Sequence, residues 1–406
     1  MNKSEKLFQV SRPMAKAHGE IEKRLYENDK RQFGGMFYTD KARKLHIAVM
    51  GNNSRMIEQL AQKDVLFQEV KYSWETMNEV QAAVNSLLGR YGVHMSAFEP
   101  QNNRVCIGVD VANSEIVRAI TVEMAGLGFA SSDMFQIIEK VRANEYHTLG
   151  ESVKNESSAS KRLAESSIDE NTEPDEDDVT TIMPGGMILV EDSSGSLVHL
   201  CSVNYGYIYN NTPYLVGAGH AGSAAYVGQD AYYVPPITGY PISNVSTSYN
   251  SSKRVKVGVV ALQRLGGNYD LRTIRVTENN LAFTHTAYNG WTITNIGGSI
   301  TQGAPLRLCG ITSRYDADYE YGYCSNSQVS MTAYGKTMTN LIQLDFGANN
   351  GTSGGPVITQ DSSGDIRLVG LASVNGTSTC YAIPVRYMIS TYNLTQLAEG
   401  NISVSS

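Results

Sequence analysis

The sequence lacks any apolar run close to the roughly 20 residues that a helix needs to cross a bilayer, so a transmembrane span is not expected. The opening stretch MNKSEKLFQVSRPMAKAHGE has no apolar segment followed by a small-residue cleavage site, and no secretory signal is recognisable. No basic stripe of the kind that binds nucleic acid is present. We therefore expect neither a membrane nor a nucleic acid as partner.

Cysteine is scarce, with 5 residues among 406. This is too few for a small disulfide-stapled domain, and an odd number leaves at least one thiol without a mate. Cys309 and Cys324 flank a loop and could pair, whereas Cys106, Cys201 and Cys380 have no obvious mates. No Cys-x-x-Cys or Cys/His ligand spacing occurs and the 7 histidines are scattered, so neither a metal site nor another cofactor is expected.

The net charge of −7 comes from one segment. Residues 151–178 carry ten acidic and three basic side chains, which accounts for the whole imbalance. Large apolar residues are almost absent there, so the segment cannot bury enough surface to offset the entropy of ordering. We predict a flexible, protease-accessible linker over residues 151–180.

This linker separates two regions of different character. Residues 1–150 alternate helical and strand patterns, which predicts an α+β domain. Within it, 36–60 and 97–120 form a weak internal repeat, with a chance likeness between two hairpin-plus-helix patterns as the alternative. Residues 181–406 contain many short strands with Gly, Asn and Ser turns, which is typical of an all-β sandwich or barrel.

Three segments of the all-β region supply what acyl transfer by a serine requires: a base, an acid that holds it, and N–H groups facing the oxyanion. His220 ends an apolar strand in YLVGAGHAG, and Asp270 opens an alternating strand in GGNYDLRTIRV. Ser353 lies between glycines in NNGTSGGPV, where a tight turn can aim the N–H groups of Gly351 and Ser353 at one point. Each segment alone is compatible with an ordinary turn, but their order and separations suit two consecutive barrels with a site between them.

From about residue 181 the chain resembles the chymotrypsin-like serine proteases, specifically the alpha-lytic protease/streptogrisin branch. The resemblance rests on CSVNYGYIYNNTPYLVGAGHAG, GNYDLRTIRV and GTSGGPV, together with PGGMILV near the start of the region. It implies a double six-stranded antiparallel β-barrel and a secreted serine endopeptidase acting on proteins or peptides, with His220, Asp270 and Ser353 as its catalytic triad. LCGITSRYDADYEYGYC resembles a Cys-bounded loop of that branch, which implies a Cys309–Cys324 disulfide.

The same resemblance makes LASVNG (371–376) a wall of the substrate cleft. Ser373 would help to orient Asp270, and the backbone of Val374 and Asn375 would pair with an extended substrate as an added strand. The specificity pocket would lie between the residues just before Ser353 and the 373–380 segment. Phe346 and Gly347 offer no fixed charge there, which favours an apolar or small residue on the substrate.

More faintly, FGGMFYTD, VKYSWETM and NNRVCIGVD resemble the prodomain of that branch. This implies that residues 1–150 assist folding of the protease and then occupy or inhibit its active site. The chain would be a zymogen cut within 151–180, at Lys161-Arg162 or in the acidic run ending at Asp178. The alternative is that the uncleaved precursor is the stable species.

Two departures from the family pattern leave a second function open. Ala221 stands where the family usually has Cys, so Cys201 loses its expected partner. Thr352 replaces the Asp that normally anchors the nucleophile loop by an ion pair. These changes are compatible with a catalytically silent protease-fold protein that binds peptides or surfaces.

Overall fold

A computed structural model describes residues 18, 21, 25, 31–51, 57–58, 60, 64–140, 142, 179–191, 197–221, 226–234, 254–288, 290–310, 321–348, 351–361, 363–375 and 378–404. Both candidate cut regions, and all but the last two residues of the predicted linker, lie outside these ranges. Within them, none of the helices combines the length and the apolar character that crossing a membrane requires.

The N-terminal region has the same order of elements twice. Its elements are β1 (Phe33–Thr39), β2 (Lys44–Met50), β3 (Val65–Val70), α1 (Trp74–Asn85), β4 (Val93–Glu99), β5 (Arg104–Val109), α2 (Ser114–Gly126) and β6 (Phe135–Glu139). In each half an antiparallel pair, β1–β2 or β4–β5, is followed by a third strand parallel to the second. Helix α2 precedes the third strand of the second half, and residues 57, 58 and 60 are helical at the corresponding place in the first.

Both long helices of this region begin at polar caps. The amide of Thr76 donates to the Ser73 hydroxyl oxygen at 3.1 Å at the start of α1, and that of Ile116 donates to the Asn113 side chain at 2.9 Å at the start of α2. Such caps satisfy N–H groups that the first turn of a helix leaves without partners.

The remaining elements are mostly strands. They are β7 (Thr180–Ile182), β8 (Met187–Glu191), β9 (Leu197–Ser202), β10 (Tyr205–Tyr209), β11 (Thr212–Gly217), β12 (Asp230–Val234), β13 (Val255–Gly266), β14 (Tyr269–Val276), β15 (Leu281–Phe283), β16 (Ile293–Ile296), β17 (Pro305–Leu308), β18 (Tyr321–Ala333), β19 (Lys336–Leu344), β20 (Pro356–Gln360), β21 (Ile366–Asn375), β22 (Cys380–Pro384), helix α3 (Val385–Tyr392), β23 (Thr395–Gln396) and β24 (Gly400–Asn401).

The first of two β-layers is a curled antiparallel sheet in the order β23-β10-β11-β14-β13-β12-β8-β9. Strands β9 and β10 lie near opposite ends of this order, yet only Val203 and Asn204 separate them in the chain. The sheet therefore bends round on itself. Its interior contains fully buried side chains such as Tyr205, Tyr207 and Tyr233.

The second layer is a closed barrel. Its strands follow the order β17-β20-β21-β22-β19-β18, and β18 pairs again with β17, so the six strands form a closed ring. Every neighbouring pair in the ring is antiparallel. A curled antiparallel sheet followed by a six-stranded antiparallel barrel is the chymotrypsin-like β-barrel architecture, and the predicted fold class is confirmed.

The barrel sheet does not stop at β18 but continues into the N-terminal region through β4, β5 and β6. Strand β4 pairs antiparallel with β18, with Ser96 opposite Ser330. Side chains reinforce this junction, since Asn326 Nδ2 donates to the Phe98 carbonyl at 2.6 Å and Gln81 Nε2 to the Gln328 carbonyl at 2.7 Å. The sequence does not predict this continuous sheet.

Candidate active site

The two β-layers bring together the three side chains that the sequence singles out. His220 follows β11, and Asp270 is the second residue of the neighbouring strand β14, so the first layer supplies both. Ser353 lies in the loop that leads into β20 of the second layer. Residues separated by as many as 133 positions thus face one another across the boundary between the layers.

The three side chains form one hydrogen-bonded line. His220 Nδ1 lies 2.7 Å from Asp270 Oδ2, and His220 Nε2 lies 3.0 Å from Ser353 Oγ. The backbone N–H of His220 also donates to Asp270 Oδ1 at 2.7 Å. With a proton on Nδ1 donated to the carboxylate, Nε2 is left to accept the serine proton, which is the tautomer that a general base requires.

Asp270 is fully buried. Burial by itself raises the pKa of this carboxyl, but the charge of His220 and hydrogen bonds from His220 and Ser373 outweigh it and hold the pKa below its ordinary value. Ser373, also fully buried, donates its hydroxyl to Asp270 Oδ2. The predicted contact between Ser373 and Asp270 is therefore present.

The nucleophile loop is tied to the first layer through Ser202, a buried residue at the end of β9. The Ser202 amide donates to the Ser353 carbonyl at 2.8 Å, and its hydroxyl donates to the Gly351 carbonyl at 3.0 Å. Gly351 and Gly354 both have left-handed backbone, with φ of 90° and 87°. At Gly354 a side chain is also excluded by space, because a Cβ there would lie 2.3 Å from the Ser202 carbonyl oxygen.

Thr352, where the family usually has Asp, is completely buried beside Gly310. A Cβ added to Gly310 would lie 2.3 Å from Thr352 Cγ2, so the two residues are packed as closely as a glycine allows. The loop is thus held by close packing and by the bonds from Ser202.

The residues predicted to bind substrate lie at the end of β21, where one edge of this strand extends beyond its described pairing with β20. Val374 and Asn375 pair with β22 on one side, whereas the described pairing of β20 with β21 extends only to Leu371. The side chain of Val374 is buried with Met95 of β4. Phe346, expected near the specificity pocket, packs into the core of the second barrel.

Two residues that the sequence did not single out support His220. The ring of Tyr334 stacks on the imidazole with centroids 4.3 Å apart and planes 2° from parallel. Gln263 Nε2 donates to the carbonyl of Gly219, the residue before His220, at 2.6 Å. Neither residue belongs to a recognisable motif, because both approach His220 only through long-range packing.

The predicted Cys309–Cys324 disulfide is wrong. Both residues are buried thiols, and they belong to separate apolar cores: Cys309 packs in that of the first layer and Cys324 in that of the second barrel. Burial raises the pKa of the Cys201 thiol, whose expected partner position is Ala221. In the part of the chain that the structure describes, no group of three or more His, Cys, Asp or Glu side chains is arranged to hold a metal ion.

Solved structures similar to this chain include several proteases. A protease from Nocardiopsis is 19% identical over 54% of this chain and 100% of its own, with a TM-score of 0.38. Protease A of Thermobifida fusca is 20% identical over 54% and 100%, with a TM-score of 0.39. A chymotrypsin of Cellulomonas bogoriensis is 17% identical over 53% and 98%, with a TM-score of 0.37. No protein-family profile and no curated protein matches the chain.

The curled antiparallel sheet and the six-stranded antiparallel barrel give the protein its chymotrypsin-like β-barrel fold.

Proposed function

We propose that this protein is a serine endopeptidase that hydrolyses peptide bonds through an acyl-enzyme. The observation that carries the proposal is the line from buried Asp270 through His220 to Ser353, with both imidazole nitrogens within hydrogen-bond reach of their partners. A structural role alone does not require a serine at the half-buried end of such a line.

In the proposed reaction, Ser353 Oγ attacks the peptide carbonyl carbon while its proton moves to His220 Nε2. The resulting oxyanion accepts hydrogen bonds from the amides of Gly351 and Ser353. His220 then gives the proton to the leaving amine, and the C–N bond breaks to leave an ester on Ser353. Water, deprotonated by the same imidazole, hydrolyses that ester. Proton transfer of this kind accelerates a reaction by roughly 10²–10⁴-fold.

Asp270 acts through His220 in this scheme. Its ionised carboxylate accepts the Nδ1 proton, which keeps Nε2 available as a base, and it stabilises the imidazolium that forms during attack. The substrate is a protein or peptide that lies extended along Val374 and Asn375 as an added strand. Gly347, next to the buried Phe346, brings no charge to the proposed specificity pocket, which favours an apolar or small residue before the scissile bond.

The test is replacement of the nucleophile. We expect Ser353→Ala to abolish both peptide hydrolysis and covalent labelling by a fluorophosphonate, whereas Ser390→Ala, on the exposed surface of α3, retains both. Peptidase activity in the Ser353→Ala protein would refute the proposal. A folded, linker-cleaved wild-type protein that fails to label would instead favour the silent peptide-binding protein.

We further propose that residues 1–150 form the prodomain of a zymogen, that residues 181–406 form the protease, and that the precursor is exported. Support comes from β4, which pairs with β18. Met95 of β4 also belongs to the same buried apolar cluster as Val374, in the strand proposed to bind substrate. An attached N-terminal region would thus help to order the second barrel and restrict the cleft.

Mass spectrometry of the purified full chain, before and after limited proteolysis within 151–180, tests the zymogen. We expect higher peptidase activity from the two-chain form once the N-terminal part has dissociated. Equal activity of the intact chain and the cleaved protein would contradict an inhibitory prodomain.

A further inference from the structure

The hairpin formed by β18 and β19 ends in an unusual turn. Tyr334 and Gly335 both have left-handed backbone, with φ of 51° and 66°. Two-residue turns of this hand match the twist of the flanking strands, and they favour Asn and Gly because a bulky side chain is disfavoured at positive φ. A tyrosine persists in such a conformation only where its surroundings hold it, and such residues cluster at functional sites.

The surroundings of Tyr334 are the proposed catalytic residues. Its ring lies flat against the imidazole of His220, at 4.3 Å between centroids and 2° between planes. Its hydroxyl donates to the carbonyl of Ser373 at 3.3 Å, and the Ser373 side chain in turn donates to Asp270. The Tyr334 side chain therefore contacts His220, the proposed base, directly. It also contacts Ser373, the residue that donates a hydrogen bond to Asp270.

The hairpin is itself fixed to the loop that precedes Asp270. The amide of Gly267 donates to the Thr337 carbonyl and the amide of Thr339 donates to the Gly267 carbonyl, both at 2.7 Å. The Thr339 hydroxyl donates to Asn268 Oδ1 at 2.7 Å. The position of Tyr334 relative to Asp270 is thus set by the backbone of the turn and also by these hydrogen bonds between the hairpin and the loop before Asp270.

Strand β4 supports the other side of the same hairpin. It pairs with β18 from Val329 to Met331, immediately before the tip. Met95 and Ala97 of β4 also share an apolar cluster with Met331 and Met338 of the hairpin. The hairpin is therefore held between the N-terminal region and the proposed catalytic site.

We propose that Tyr334 is a positioning residue that fixes the plane of the His220 imidazole. The hydrogen bonds at Nδ1 and Nε2 hold the two nitrogens in place. They still leave the imidazole ring able to tilt about the line that joins these two atoms. An aromatic ring flat against one face blocks that tilt, so that both nitrogens stay aimed at Asp270 and Ser353. The effect of Tyr334 on turnover rests on the proposed peptidase function. Its effect on the orientation of the imidazole does not depend on that function.

The test uses the full chain carrying Tyr334→Asn or Tyr334→Phe, with activity measured after cleavage within 151–180. Asparagine suits the left-handed turn, so the hairpin folds, but the stacked ring is lost. We expect kcat to fall about 10- to 100-fold with little change in KM, the scale of loss that follows from misplaced reacting groups. Phenylalanine keeps the ring and loses the hydroxyl that donates to Ser373, so we expect this variant to retain most of kcat. Tyr209→Asn, an exposed tyrosine beside the β10–β11 turn, is the control and should match the wild type.

Nuclear magnetic resonance of the His220 ring provides a readout that does not need activity. We expect the Nδ1 proton to give a sharp signal in the wild type and in Tyr334→Phe, and a signal broadened by motion in Tyr334→Asn. A linker-cleaved wild type without peptidase activity that shows this pattern would refute the proposed function and leave the positioning role standing. An unchanged His220 signal and kcat in Tyr334→Asn, a rise in KM alone, or an equal loss in Tyr209→Asn would overturn the positioning role.

Discussion

Ser202→Ala offers a direct test of how the nucleophile loop is held. The substitution removes the hydroxyl that donates to the Gly351 carbonyl at 3.0 Å and keeps the Ser202 amide that donates to the Ser353 carbonyl. Ser202 is completely buried, so water does not readily replace the lost donor. A buried carbonyl deprived of its partner costs about 1–3 kcal/mol. We expect the free energy of unfolding to fall by that amount.

The same loss should appear in the reaction rate. The Gly351 carbonyl belongs to the peptide before the one that carries the Ser353 amide, so a loosened Gly351 misaligns the proposed oxyanion hole. If the loop must recover its geometry in the transition state, about 1–3 kcal/mol corresponds to a rate lowered roughly 5- to 150-fold. The assay is the rate of fluorophosphonate labelling at Ser353, measured alongside urea unfolding.

Thr359→Val is the matched control. The Thr359 hydroxyl donates to the buried Pro305 carbonyl at 2.8 Å inside the second barrel, outside the nucleophile loop. This variant should lose similar stability but label at the wild-type rate. If Ser202→Ala also labels at the wild-type rate, the bond to Gly351 does not set the geometry of the loop and the reasoning is refuted.

Two further predictions concern the glycine beside the nucleophile and the charge of Asp270. Gly354→Ala should destabilise the protein by well over the about 1–2 kcal/mol of left-handed strain, because its Cβ would lie 2.3 Å from the Ser202 carbonyl. Gly228→Ala, also left-handed but open around its Cβ, should cost only the strain, and equal shifts of the urea midpoint would contradict this account. Asp270 has a lowered pKa, so its stabilising contribution is present above its unfolded pKa of about 3.9 and is lost as pH falls through the folded pKa. Ser373→Ala removes one of the hydrogen bonds that lower the pKa of Asp270. The variant should therefore be less stable than the wild type at pH 6, and this difference in the free energy of unfolding should shrink towards acid pH. A difference independent of pH would argue that the Ser373–Asp270 bond does not favour the ionised carboxylate.

Much of the local structure follows from residues close in sequence. Ser73 and Asn113 begin helices because their side chains accept bonds from amides two or three positions ahead. Alternating apolar residues such as Ile274 and Val276 predict half-buried strands, and both are buried. The glycines around Ser353 predict a tight turn, and Gly351 and Gly354 indeed adopt positive φ.

Local sequence patterns do not reveal which distant elements or side chains pair. The Cys309–Cys324 disulfide failed because sequence spacing does not reveal which apolar core a side chain enters. The addition of β4 to β18 was missed because the edge of a strand carries no residue signature for its partner; backbone groups make the bonds.

The sequence alone therefore determined the kinds of chemical group available and the local turns, caps and strands that present them. Only the tertiary structure decided that His220, Asp270 and Ser353 lie within hydrogen-bond reach, that Ser202 ties the nucleophile loop to the first layer, and that Tyr334 stacks on the imidazole. The physical reason is range. Caps and turns depend on bonds across a few residues, whereas these contacts depend on how two whole sheets curl and pack.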